Sequence, residues 1–168
     1  MPHMHRRVRF FFACLTTAIF WPVTHAQEAI GKNELPIHDA ARLGTRAEVE
    51  RILKAAPAMR DIPTEAMGST PLHLAALNVD SGPLKALIAA GANANARDKN
   101  DATPLHMAAY GTRSENAKLL LQAGADPLLK TSEGRDVASL ARRVRADEVA
   151  GIISIWLLKG CKPGMACF

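Results

Sequence analysis

Three histidines occur at the same position of a recurring sequence motif, and histidine is the side chain best suited to proton transfer and metal binding near neutral pH. They are His38, His73 and His106, spaced 35 and 33 residues apart. A catalytic or metal site would need the three imidazoles to converge at one point, and such regular spacing does not favour convergence. We therefore predict a structural role for these histidines, with metal or cofactor binding as the alternative.

Other sequence patterns that carry catalytic chemistry are missing from the 168 residues. The chain has no G-x-S-x-G, H-E-x-x-H, P-loop or dinucleotide-binding glycine pattern, and its cysteines lack C-x-x-C spacing. A short basic cluster, Arg142, Arg143 and Arg145, is interpreted as a solvated face, with an anion site as the alternative. The sequence thus predicts a protein that is not an enzyme, with no catalytic residue, cofactor or metal.

The histidine motif is part of a longer internal repeat. The letters TPLHLAA at residues 70–76 recur as TPLHMAA at residues 103–109, an offset of 33. Downstream, LIAAGAN aligns with LLQAGAD at the same offset, and weaker copies begin at Leu35 and Asp136. This pattern resembles the ankyrin repeat, whose period is 33 residues and whose mark is T-P-L-H-x-A.

The resemblance implies an all-α fold, an ankyrin-repeat solenoid of about four stacked helix-turn-helix repeats with short β-hairpin-like turns. A single helix pair buries little surface, so neighbouring repeats must share one core. The predicted segments are a signal peptide at 1–26, a lead-in at 27–34, repeats at 35–66, 67–99, 100–132 and 133–158, and a tail at 159–168.

Individual residues explain where the helices of each repeat begin and end. Thr70 and Thr103 can cap the first helix, and the proline after each suits the first helical turn. Gly91 and Gly124 can end the second helix by adopting a left-handed backbone. Asp101 replaces the glycine that usually precedes the threonine, and aspartate tolerates that backbone better than most residues.

The resemblance also implies roles for particular side chains. In this family the motif histidine is structural, because its ring hydrogen-bonds to the neighbouring loop and ties repeats together. Partners of the family usually dock on the turn tips and on the exposed side of the first helices, which face the concave side of the stack. Tyr110 and Arg42 are the leading candidates, because aromatic and arginine side chains are frequent interface hot spots. The full predicted set is Arg42, Met67, Ser69, Leu77, Asn78, Lys99, Asn100, Ala102, Tyr110, Glu133 and Arg135.

The N-terminus has the order of a secretory signal peptide. Three arginines and no acid precede a run of about a dozen apolar residues, and Thr-His-Ala follows it. We predict cleavage after Ala26 and a periplasmic or secreted protein. The alternatives are an uncleaved anchor at the inner membrane, or a lipoprotein modified at Cys14, whose preceding residues fit poorly.

Removal of that segment changes the charge balance. The chain has 21 Lys and Arg against 16 Asp and Glu, and loss of three arginines leaves 18 against 16, a net charge of +2. So small an excess gives little reason to expect a nucleic-acid partner. We expect a monomer that binds a protein, with no integral membrane span after cleavage.

Two cysteines remain after cleavage, near the C-terminus. An even number of cysteines in an exported chain favours a disulfide between Cys161 and Cys167, with two free thiols as the alternative. The apolar run 151–158 before them is too short to cross a membrane and is interpreted as the outer helix of the last repeat. Trp156, or Phe168 beyond it, is expected to be partly exposed there.

These observations favour a non-enzymatic protein–protein interaction module outside the cytoplasm. The chain resembles small exported ankyrin-repeat proteins of Gram-negative bacteria, some of which support oxidative-stress defence while others resemble immunity or inhibitor proteins for a secreted enzyme. The alternative from another class is a metal- or cofactor-binding protein that uses the histidines.

Overall fold

The computed structural model describes residues 34–165 and 167–168. The predicted signal peptide and residues 27–33 of the predicted lead-in lie outside the described residues. Eight α-helices follow one another in four antiparallel pairs, and the described residues contain no β-strand. The helices are α1 Pro36–Leu43, α2 Arg46–Ala55, α3 Pro71–Leu77, α4 Gly82–Ala89, α5 Pro104–Tyr110, α6 Ser114–Gln122, α7 Val137–Arg143 and α8 Asp147–Leu158.

The first helices of the four pairs form one row. In this row α1 packs on α3, α3 on α5, and α5 on α7, while α2 packs on α4 and α6 on α8 behind it. Buried alanines such as Ala75 and Ala108 let the helices of the first row approach closely, and leucines fill the space between the rows. One continuous core therefore runs along the stack, which confirms the predicted all-α repeat solenoid.

The turns between repeats are closed by backbone hydrogen bonds, as in a β-hairpin. In the tip before the third repeat, the Asp98 N–H donates to Ala102 O over 3.0 Å. Neighbouring tips are also joined, because the Lys99 N–H donates to Met67 O and the Ser132 N–H donates to Asn100 O, each over 2.9 Å. The tips thus form a connected edge of the stack.

Asp101 has the left-handed backbone that its position was predicted to require. Its φ is +57°, against +69° for Gly68 and +75° for Gly134 at the equivalent positions. The Asp98 carboxylate supports this turn by accepting hydrogen bonds from the Asn100 N–H over 2.8 Å and the Ala102 N–H over 2.9 Å. These bonds offset the modest cost of a left-handed residue with a side chain.

Measured from motif to motif, the first repeat is 35 residues long, two more than the second. It accommodates the two extra residues in a short 3₁₀ helix, Pro57–Asp61. This helix is bound to the loop that follows α4. Arg60 donates to Ala90 O over 2.9 Å, and the Asp61 carboxylate accepts from the Asn93 N–H over 3.0 Å. The insertion therefore ties the first repeat to the end of the second.

The fourth repeat lacks the T-P-L-H motif and begins its first helix differently. Asp136 is the N-cap of α7, and its carboxylate accepts from the Ser139 N–H over 2.8 Å. This hydrogen bond favours the charged carboxylate and lowers the pKa of Asp136. A charged cap thus replaces the threonine–histidine pair of the inner repeats.

The C-terminal tail folds back on α8. Phe168 stacks on Trp156 with ring centroids 5.8 Å apart, so that Trp156 is only 5% exposed while Phe168 is 46% exposed. One of these two aromatic residues was expected to be partly exposed, and it is Phe168. The Sγ atoms of Cys161 and Cys167 lie 2.09 Å apart, which is disulfide bonding distance. No helix in the described residues is long and apolar enough to span a membrane.

Candidate protein-binding surface

Each motif histidine uses Nδ1 to bind the start of its own helix and Nε2 to bind the loop that follows its repeat. In the second repeat, Nδ1 of His73 accepts from the Thr70 N–H over 3.1 Å and from the Thr70 hydroxyl over 2.9 Å. Its Nε2 lies 3.0 Å from Ala102 O. A carbonyl can only accept and an amide N–H can only donate, so the imidazole must be neutral with its proton on Nε2.

The other two histidines make the same contact with the following loop, although Leu35 offers His38 a backbone N–H and no hydroxyl. Nε2 of His106 donates to Arg135 O over 3.2 Å, and Nε2 of His38 donates to Ile62 O over 2.8 Å. Burial lowers the pKa of His73 and of His106, because a charged imidazole would lose its hydration. The rings are thus suited to holding loops in place.

The structure does not gather the imidazoles into one site. Each is buried in its own repeat and bonded to a different loop. Within residues 34–165 and 167–168, no group of three or more His, Cys, Asp or Glu side chains is arranged to hold a metal ion. Among the described residues, no common pocket surrounds the three rings. Their arrangement fits a structural role.

Two of the predicted partner-binding residues are buried. Ser69 is packed next to Thr70, and Ala102 supplies the carbonyl that accepts from His73. Both lie beside the turn tip, on the side that faces the core. Their side chains are therefore not available to a partner, and including them in the surface was wrong.

All four charged residues of the predicted surface are engaged in contacts within the stack. Lys99 Nζ donates to Glu65 O over 2.6 Å and to Ala66 O over 2.9 Å, so it joins two turn tips. Arg42 is paired with Glu34, and Arg135 is paired with Glu133. A partner that used these cations would have to compete with those contacts or add to them.

Five predicted residues are exposed: Lys99, whose contacts are given above, and four others, of which Tyr110 is the largest. At the last position of α5, Tyr110 is 64% exposed, and its hydroxyl has no hydrogen-bond partner among the described residues. Met67, Asn100 and Glu133 are exposed at three successive turn tips. These tips precede the first helices, whereas Tyr110 lies at the C-terminal end of α5.

Leu77 and Asn78 are half-buried between repeats. A Cβ built on Gly111 would come within 3.1 Å of Leu77 Cδ2, so the Gly111 backbone lies against the Leu77 side chain. The Asn78 amide donates to Ala41 O over 3.2 Å, at the end of α1. Leu77 can still contribute apolar area beside Tyr110, whereas Asn78 is mainly a link between repeats.

Sequence reasoning missed a second set of links between repeats, centred on Asn116. This residue is buried, and its side-chain amide donates to Ala76 O over 3.1 Å and to Asn78 O over 2.9 Å. Arg113 adds a bond from Nε to Leu77 O over 3.0 Å. These donors satisfy the C-terminal carbonyls of α3, which have no partner within that helix. A polar residue in the apolar register of α6 was the available signal.

Comparison with known proteins agrees with this architecture. The family model described as Ankyrin repeats (3 copies) matches residues 37–131. A search of curated proteins gave no match. The match covers more than half of the chain, and α7 and α8 continue the stack beyond it as a fourth helix pair. Ankyrin repeats are protein–protein interaction modules, and this chain belongs to the ankyrin-repeat family.

Proposed function

We propose that this protein is a non-enzymatic docking module that works outside the cytoplasm and binds a protein partner through the turn tips and the concave side of its first-helix row. The proposal rests on the exposure of Tyr110 on α5, whose next residue, Gly111, lies against the half-buried Leu77 of the preceding repeat. An amphipathic ring on a rigid helix can bury a large area at little cost in conformational entropy. The exposed tips lie at the other end of the same row of first helices.

The rigidity of the stack supports this mechanism. The histidine links and the Asn116 links hold successive repeats together at opposite ends of the first helices. A surface that is already ordered loses little freedom on binding, so a modest patch can give useful affinity.

A capture experiment tests the binding face. Wild-type protein and a Tyr110→Ala variant serve as baits for proteins of the exported fraction, and Leu128→Ala is the matched control. Leu128 is 61% exposed, similar to Tyr110, but it lies in the loop after α6. We expect Tyr110→Ala to lose a protein that wild type and Leu128→Ala retain. Identical capture by all three baits would reject this face.

The extracytoplasmic location is supported by the sequence order of residues 1–26 and by the close pair of C-terminal sulfurs. We propose that Cys161 and Cys167 are joined by a disulfide in an oxidising compartment. Intact-mass measurement of the exported protein should give an N-terminus at Gln27. Alkylation without reductant should add no mass to either cysteine. A retained N-terminus or two alkylated thiols would contradict this location.

The identity of the captured partner decides the physiological role. Capture of a catalase or another peroxide-removing enzyme supports a role in oxidative-stress defence. Loss of activity of a captured secreted enzyme supports an immunity or inhibitor role.

Zinc or copper titration addresses the metal-binding alternative. Binding that disappears in folded His73→Ala and His106→Ala variants would support it.

A further inference from the structure

The outward face of α8 is apolar, although it closes the end of the stack. Ile155 is 43% exposed and Leu158 is 86% exposed on the face opposite the buried Ile153 and Trp156. Phe168 and Met165 add exposed apolar area from the tail. A terminal repeat usually presents a polar outer face to water. This end of the molecule therefore resembles an interface without its partner.

Gly151 leaves the exposed face of α8 without a side chain at one position. It lies inside α8, on the same face as Ile155 because the two are four residues apart. A glycine within a helix costs roughly 0.5–1 kcal/mol relative to alanine. A Cβ built on Gly151 meets nothing within 4 Å, so the packing of the chain itself does not require glycine here. A missing side chain on an exposed helix face instead permits close contact with another helix.

The charges at the two ends of α8 suit an antiparallel contact with a second copy of the same helix. Asp147 begins α8 and Lys159 follows its last residue, and both are exposed without an ion-pair partner in the described part of the chain. An antiparallel copy of α8, related by a twofold axis at the level of Ile153, sets position 147 against position 159 and position 151 against position 155. Each Asp147 then meets a lysine, and each Ile155 enters the space left by a glycine.

We propose that two copies of this chain associate through α8, packed antiparallel across a twofold axis, with Ile155 of each seated over Gly151 of the other. The contact is closed and self-complementary, as in most homodimers. Head-to-tail stacking is disfavoured, because the exposed residues of α2 in the first repeat are mainly charged and include Glu48 and Arg51. The monomer expected from the sequence is the alternative outcome of the association experiments.

The dimer is expected to be weak. An α8 of 12 residues spans about 18 Å, so the contact is smaller than the standard interface of about 800 Å² per partner. Sedimentation equilibrium of the protein in the form that cells accumulate should show reversible association at micromolar concentrations. A single monomeric species at every concentration up to the millimolar range would overturn the proposal.

Gly151→Leu is the most informative variant. Its side chain has free space within the monomer and improves helix propensity, so the thermal midpoint at low concentration should not fall. The same side chain occupies the space needed by the partner's Ile155 and should weaken association at least tenfold. The control is Leu43→Asn, at an exposed site at the other end of the stack, which should leave association unchanged. Undiminished dimerisation of Gly151→Leu would overturn the proposal.

A charge exchange tests the antiparallel register. Lys159→Asp places two carboxylates together at both ends of the contact and should weaken association about tenfold. Combining it with Asp147→Lys restores opposite charges and should restore association. If both single variants and the double variant associate like wild type, the register is wrong. Binding of the monomer to vesicles that contain phosphatidylglycerol, with no self-association, would assign the face to a membrane surface instead and reject the dimer.

Discussion

At the residue scale, the fold depends on keeping the buried imidazoles of His73 and His106 neutral. Nδ1 of each ring faces a backbone N–H, and Nε2 donates to a carbonyl of the next loop. A second proton on Nδ1 would oppose an N–H donor in a site with little water. Protonation of His73 or His106 would therefore break a link between repeats.

The lowered pKa values of His73 and His106 predict how stability depends on pH. Above pH 6.5 these side chains are neutral in both the folded and the unfolded chain. Below pH 6.5 the unfolded chain binds protons that the native imidazoles resist, so the free energy of unfolding falls until pH reaches the native pKa values. Urea unfolding between pH 8 and 5 should show this decrease, by up to about 1.4 kcal/mol per pH unit for each imidazole. A flat profile would contradict the assignment.

Removing one ring tests the link directly. His106→Ala leaves the Thr103 N–H and Arg135 O without their partner and opens a cavity, which should cost about 2–4 kcal/mol. Tyr110→Ala is the control, because it changes an exposed residue of the same helix and should stay within about 0.5 kcal/mol of wild type. An equal loss of stability in the two variants, measured by chemical denaturation, would contradict a stabilising role of the His106 link.

The role of the histidines and the backbone of Asp101 could be predicted from sequence, because both recur at a fixed place in each repeat. The burial of Ser69 and Ala102 could not, since adjacent residues of a turn tip face in opposite directions. Periodicity locates a turn, but it does not tell which of its side chains points inward. The internal bonds of Lys99 were hidden for the same reason.

At the scale of elements, the ends of the helices set the geometry of each repeat. Gly91 ends the second helix of its repeat with a φ of +79°, whereas Gly151 lies inside α8. Gly91→Ala should therefore destabilise the protein by about 1–2 kcal/mol. Gly151→Ala should stabilise it by about 0.5–1 kcal/mol, measured by thermal unfolding at low protein concentration. Loss of stability in both variants would mean that Gly151 is required within the monomer.

The side-chain amide of Asn116 links two repeats, so its removal should also lower the stability of the protein. Asn116→Ala leaves the last carbonyls of α3 without a donor and should cost about 1–3 kcal/mol. Asn100→Ala, at an exposed tip, should change stability by less than about 0.5 kcal/mol. Equilibrium unfolding of the two variants compares an internal link with a surface amide. Sequence periodicity did not show this link, because the equivalent position in the second repeat is Pro83.

At the scale of the molecule, the tail and the last helix complete the end of the stack. Trp156 is the one tryptophan of the described residues, and it is covered by Phe168. Phe168→Ala should shift its fluorescence to longer wavelength and increase quenching by acrylamide. Phe168→Leu, which retains apolar cover, should have a smaller effect. An unchanged spectrum in Phe168→Ala would mean that the stacked ring does not shield Trp156.

The central claim is that the surface around Tyr110 touches a protein partner outside the cytoplasm. A photo-crosslinking amino acid at position 110, irradiated in living cells, reports that contact directly. We expect a discrete higher-mass adduct that is absent when the same amino acid replaces Leu128, whose exposure is similar. No adduct at position 110, or the same adduct at both positions, would contradict the claim.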